Sequence, residues 1–132
     1  MKKAQLLKEL SKETYVTLKP SAVHGIGVFA IRDIEKGTRN IFSKSVGDWI
    51  TVSRDEVNAL PAYSKELVEN HCLYDDGHYF IPDYGFKLFD LVVFINHSDT
   101  PNMISVNDGD YFETLRDIQC GEELFVDYGT IV

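Results

Sequence analysis

A chain of 132 residues with 44% hydrophobic, 12% aromatic and 26% charged side chains has the make-up of one globular domain, not of a disordered or multidomain protein. No apolar run approaches the ~20 residues a membrane span needs, and the lysine-rich start has no apolar stretch behind it, so a cytoplasmic location is expected. A net charge of −8, from 21 acidic against 13 basic residues, excludes a nucleic-acid binder that depends on phosphate contacts.

In chain order, residues 1–13 are expected to form a short amphipathic helix, because Ala4, Leu7 and Leu10 recur at three-residue steps with Leu6 beside them. A single domain is expected over residues 14–132. Thr14 to Lys19 alternates as a strand does and stops at Pro20; Gly27 to Ile31 and Thr38 to Phe42 are the next strand candidates. Ser53 with Glu56 three residues on makes a capping box, so a helix starts there. Pro61 interrupts it, and Ala62 to Asn70 is expected as a second short helix. His78 to Ile81 reads as a strand ended by Pro82. Met103 to Val106 and Tyr111 to Leu115 flank Asn107-Asp108-Gly109-Asp110, whose Asp-Gly pair favours a hairpin. Glu123 to Tyr128 gives a final strand.

Arg32-Asp33-Ile34-Glu35-Lys36-Gly37 is echoed 84 positions on by Arg116-Asp117-Ile118-Gln119-Cys120-Gly121. Each glycine suits the positive φ of a tight turn. Both segments are expected as β-turns that belong to the fold, not to a site. Cys72 and Cys120 form no CxxC pair, and His24, His71, His78 and His97 show no metal-binding spacing, so no metal is expected. Residues 1–44 carry 9 basic and 4 acidic side chains, and residues 45–132 carry 4 and 17. Such an acidic part is either solvated surface or a face that attracts basic partners.

Three segments invite a chemical reading. In His24-Gly25-Ile26-Gly27-Val28-Phe29-Ala30, two glycines at the mouth of a strand make either a tight turn or a place where a ligand lies against the backbone. In Phe94-Ile95-Asn96-His97-Ser98-Asp99-Thr100-Pro101-Asn102, an apolar run delivers hydrogen-bonding side chains to an Asx-rich turn or a polar network. In Gly121-Glu122-Glu123-Leu124-Phe125-Val126-Asp127-Tyr128-Gly129, Tyr128 is a surface aromatic, a core aromatic or a catalyst.

In this order and at these separations, the three segments resemble the SET-domain protein-lysine methyltransferases over about Val23 to Gly129. The resemblance implies a mostly β fold with short helices (α+β), built of several small β-sheets with a knot-like C-terminal crossing. It implies S-adenosylmethionine as cofactor and the side-chain amine of a lysine in a basic protein substrate as methyl acceptor. His24, Gly25, Ile26 and Gly27 would hold the methionine part through backbone groups, with Asn96 binding it by its side chain. The backbone of His97 would bind the adenine, Tyr128 matches the catalytic tyrosine, and Tyr79 a second tyrosine near the cofactor. Family members often carry arginine where Val93 stands and cysteine where Asp99 stands. No cysteine-rich module flanks the domain, so the site is expected either to be more open or to be completed by another subunit, the N-terminal helix or the substrate. The alternatives are a non-catalytic binding module of the same fold and, from Gly27-Val28-Phe29-Ala30 with Arg32-Asp33-Ile34, a resemblance to antifreeze-like carbohydrate-handling modules.

Overall fold

The computed structural model describes residues 2–42, 48–88, 90–107 and 109–131. They group into two compact units, one of residues 1–44 with 94–132 and one of residues 45–93. Among them the chain is mostly β with short helices.

The first unit opens with α1 (Lys3–Lys12), which buries none of its residues. Its leucines stay exposed, and its last carbonyl, on Lys12, accepts from Arg32 Nη1 at 3.0 Å. β1 (Val16–Pro20) and β2 (Ile26–Ala30) form an antiparallel hairpin in which Val16 faces Ala30 and Pro20 faces Ile26. The first strand therefore runs one to two residues later than expected and includes its proline. Pro20 sits at the strand's end, where a missing N–H costs no interior ladder bond.

No strand forms over Thr38 to Phe42. Thr38 exchanges bonds with Thr114 (its N–H to Oγ1 at 2.9 Å, its carbonyl from N–H at 3.1 Å), a single rung and not a ladder. Burial of Ile41 and an edge-on contact of Phe42 with Phe112, 5.9 Å between centroids, explain the apolar residues there.

β6 (Asn96–His97), β7 (Met103–Val106), β8 (Tyr111–Thr114) and β9 (Glu123–Val126) complete a six-stranded sheet ordered β1-β2-β9-β7-β8, with β6 also on β9. The expected hairpin of β7 and β8 forms, with Met103 opposite Thr114 and its second strand ending one residue early; Asp108 lies outside the described residues. β9 runs antiparallel to β2 but parallel to β6 and β7. It ends at Val126, so Tyr128 opens a short 3-10 turn instead of closing the strand. Val28, Met103, Leu124 and Val126, all fully buried, form the centre of this unit with Ile34 and Ile118.

The two Arg-Asp-Ile turns lock onto one another reciprocally. Ile34 and Ile118 exchange both backbone bonds, at 2.7 and 2.8 Å. Asp117 Oδ1 accepts from Lys36 N at 2.7 Å, and Asp33 Oδ1 accepts from Cys120 N at 2.8 Å. Gly37 N donates to Thr114 O at 2.9 Å and Gly121 N to Ala30 O at 2.8 Å, both glycines at positive φ. Each bond thus has a mate displaced by the sequence echo, a local two-fold relation.

In the second unit, β3 (Trp49–Ser53), β5 (His78–Pro82) and β4 (Leu73–Asp75) form a three-stranded antiparallel sheet. Ser53 ends β3 and caps α2 (Arg54–Asn58): its Oγ accepts from Glu56 N, and Glu56 Oε1 accepts from its N–H. α3 (Ala62–His71) follows Pro61, whose carbonyl accepts the N–H groups of Ser64 and Lys65. Val57 and Val68 supply the buried faces of the two helices.

Candidate active site

The loop joining β1 to β2 is closed by Ser21, whose N–H donates to Gly25 O at 2.8 Å. Gly25 has φ +47°, a conformation glycine adopts without steric cost. Ser21 Oγ accepts from Val23 N at 3.0 Å and His24 N at 3.3 Å, and donates to Glu123 Oε1 at 2.7 Å. The loop is thereby fastened to β9, 102 positions away.

Asn96 is buried, and its Nδ2 donates to His24 O at 3.0 Å, to Glu123 Oε2 at 2.9 Å and, at 3.4 Å, to Ile26 O. Three acceptors around Nδ2 fix the amide orientation and turn Oδ1 away from them. Among the described residues no donor reaches that oxygen. An amide oxygen without a protein donor, on a residue that is otherwise buried, fits a ligand that brings its own N–H, such as an ammonium group. Gly27 completes the cradle. A Cβ there would overlap the Glu123 carboxylate and stand 3.1 Å from Asn96 Nδ2.

Successive residues of a strand face opposite ways, so His97 serves the other side of β6. Its Nδ1 accepts from Tyr128 N at 3.0 Å, which leaves Nε2 to donate to Asp99 Oδ1 at 3.0 Å. The His97 and Tyr128 rings lie 5.2 Å apart at 57°. Tyr128 Oη donates to Ile95 O at 2.5 Å. Tyr128 therefore clamps the strand on both sides of Asn96, through Ile95 before it and His97 after it. Tyr128 is 37% exposed, and partial burial pushes the phenol pKa above its ordinary value. The hydroxyl stays a neutral donor at physiological pH.

His24, Gly25, Ile26, Gly27, Asn96, His97 and Tyr128 thus fall in one hydrogen-bonded neighbourhood of the first unit. Tyr79 belongs to the second unit, half-buried on β5 with its ring 4.8 Å from that of Tyr74. Sequence reasoning gave no role to Ser21, Glu123 or Asn102. Asn102 is buried and bridges β9 as a strand backbone would, Nδ2 to Glu123 O at 2.9 Å and Oδ1 from Phe125 N at 2.7 Å. No local pattern singles out Glu123 from its neighbour Glu122, which faces Arg116. A groove of about 710 Å³ lined by Tyr15, Thr38, Arg39, Asn40, Asp110 and Tyr111 shares no residue with this neighbourhood. Among the described residues no His, Cys, Asp and Glu cluster suits a metal ion, and no helix is long and apolar enough to cross a membrane.

Comparison with known proteins agrees with this arrangement. The SET domain family model matches residues 25–129. Among solved structures, a candidate histone methyltransferase of Plasmodium falciparum superposes with a TM-score of 0.52 at 19% identity, over 88% of this chain and 94% of that one. Polycomb Repressive Complex 2 of Chaetomium thermophilum, in an apo form with mutations in Ezh2, gives a TM-score of 0.58 at 25% identity. A humanized mutant of that complex bound to the inhibitor GSK126 gives 0.55 at 25%. The chain covers 88% of itself but spans only 15% of either Chaetomium chain. No curated protein matches. With the family model matched from the glycine loop to the residue after Tyr128, the chain belongs to the SET-domain family.

Proposed function

We propose that the chain transfers a methyl group from S-adenosylmethionine to the side-chain amine of a lysine in a basic protein segment. The observation that carries this reading is the Asn96 amide, locked at Nδ2 by the glycine loop and open at Oδ1, with Tyr128 clamping the same strand.

The cofactor, when bound, supplies an electrophilic methyl on a cationic sulfur. Asn96 Oδ1 would accept from its ammonium group, and the backbone of His24 to Gly27 would lie along its amino-acid end. The backbone of His97 would take the adenine. The amine must arrive neutral, which costs roughly 4–5 kcal/mol at pH 7 for a lysine of ordinary pKa. Positive charge nearby and loss of water both lower that cost. Tyr128, protonated, is suited to orient the amine by hydrogen bonding and not to act as its base. Asp75, Asp76, Asp83, Asp110 and Glu113 supply negative charge to attract a basic segment.

The test combines binding and transfer. Saturating S-adenosylhomocysteine should stabilise the native state by about 2.7 kcal/mol at a hundred times its Kd. Labelled S-adenosylmethionine with a panel of lysine-rich proteins should then show transfer. Absence of any thermal shift refutes the cofactor reading; a shift without transfer to any panel member favours the non-catalytic module.

A further inference from the structure

Glu123 opens β9 beside Glu122, and its carboxylate faces two obligatory donors. Ser21 Oγ already accepts two backbone N–H groups, from Val23 and His24. With both lone pairs engaged, its one remaining function is to donate, and the acceptor is Glu123 Oε1 at 2.7 Å. Asn96 presents Nδ2, also a donor, to Glu123 Oε2 at 2.9 Å. Only a side chain that accepts at both ends satisfies the pair. A glutamine of the same shape turns one end into a donor and faces either Ser21 or Asn96 with a donor–donor conflict. The absent Cβ of Gly27 is the space this carboxylate occupies.

We propose that Glu123 is a positioning residue for the cofactor's amino-acid end. It sets the Asn96 amide so that Oδ1 faces the ligand, and it holds the His24 to Ile26 backbone in place through Ser21. The proposal rests on the cofactor reading above. It concerns the amino-acid end alone, because neither Ser21 nor Asn96 touches the side of β6 where His97 and Tyr128 meet.

The experiment measures binding of two probes to the whole chain by calorimetry: S-adenosylhomocysteine, which has the amino-acid end, and 5′-methylthioadenosine, which lacks it. Glu123→Gln should weaken the first by about tenfold to a hundredfold, the scale of a lost charge-assisted hydrogen bond, and leave the second unchanged. Ser21→Ala removes the competing donor, so the double variant should bind S-adenosylhomocysteine no worse than Glu123→Gln alone, a non-additive cycle. If Glu123→Gln does not fold, Ser21→Ala carries the test with the same selective loss at smaller size. Unchanged S-adenosylhomocysteine affinity in the variant overturns the proposal. So does equal weakening of both probes, which is what a role in holding the fold would produce. Wild-type protein that binds neither probe instead removes the cofactor reading on which the proposal stands.

Discussion

Gly27→Ala adds one methyl group to the best-defined part of the site. The new carbon would lie 2.8 Å from the Glu123 carboxyl carbon, 3.1 Å from Asn96 Nδ2, and closer still to one carboxylate oxygen. Gly27 does not need a left-handed backbone, so the whole effect is steric. Either the carboxylate swings out and surrenders its bonds to Ser21 and Asn96, or β2 shifts against β9. Charge-assisted hydrogen bonds are worth about 1.5–3 kcal/mol each, and water recovers part of that at a half-buried carboxylate. Overpacking a tight contact costs about 1–3 kcal/mol by itself. Taken together, the loss should be about 2–4 kcal/mol, or about 8–15 °C in Tm for a chain of this size. Urea and thermal unfolding of wild type, Gly27→Ala and Gly25→Ala provide the measurement. Gly25 is the control: it has φ +47° and nothing within 4 Å of its Cβ position, so alanine there costs only about 1–2 kcal/mol of backbone strain. A Gly27→Ala protein within about 0.5 kcal/mol of wild type, which is the usual range of a neutral surface change, would refute the packing argument.

Tyr128→Phe should lower turnover about a hundredfold to a thousandfold while S-adenosylhomocysteine binding stays near wild type. It should also cost about 1 kcal/mol of stability, since the Ile95 carbonyl loses its donor. Because the phenol stays protonated beyond its ordinary range, wild-type kcat/KM should climb about tenfold per pH unit from 7 to 9, following the free substrate amine. A plateau in that range that disappears in the phenylalanine variant would contradict a neutral Tyr128. The reciprocal turns predict that Asp33→Ala and Asp117→Ala cost nearly the same, about 1 kcal/mol each by chemical denaturation; a several-fold difference would deny the local two-fold relation. Burial pushes the Cys72 thiol up to about 11, while Cys120 is exposed. Iodoacetamide at pH 8 should mark Cys120 well before Cys72 by mass spectrometry, and the reverse order would show that Cys72 is not half-buried.

What could be read from the chain alone follows the range of the interactions involved. The Ser53 capping box and the hairpin of β7 and β8 depend on residues within a few positions, and both form as expected. The strand Trp49–Ser53 was not anticipated, since its five residues gain identity only by pairing with His78–Pro82. Thr38 to Phe42 has the composition of a strand but pairs its backbone with β8 at Thr38 alone. In the site, the glycines, Asn96 and Tyr128 were recognisable as a set because motif spacing preserves them. Glu123 was not: whether a glutamate is solvated or wired to Ser21 and Asn96 is decided by contacts 102 and 27 positions away.

The interlocked turns also fix an order of events during synthesis. Once residues 1–42 have left the ribosome, β1 and β2 can pair, but the open edge of β2 awaits β9, and Ile34 awaits Ile118. Until residues 118–126 emerge, that edge remains a template for stray pairing. The three-stranded sheet needs only residues 49–82 and can close far earlier. Asn96 acquires its carboxylate neighbour only once Glu123 is made. Competence to hold a ligand is therefore among the last properties the nascent chain acquires, and a stalled or truncated product exposes an unpaired strand without gaining a working site.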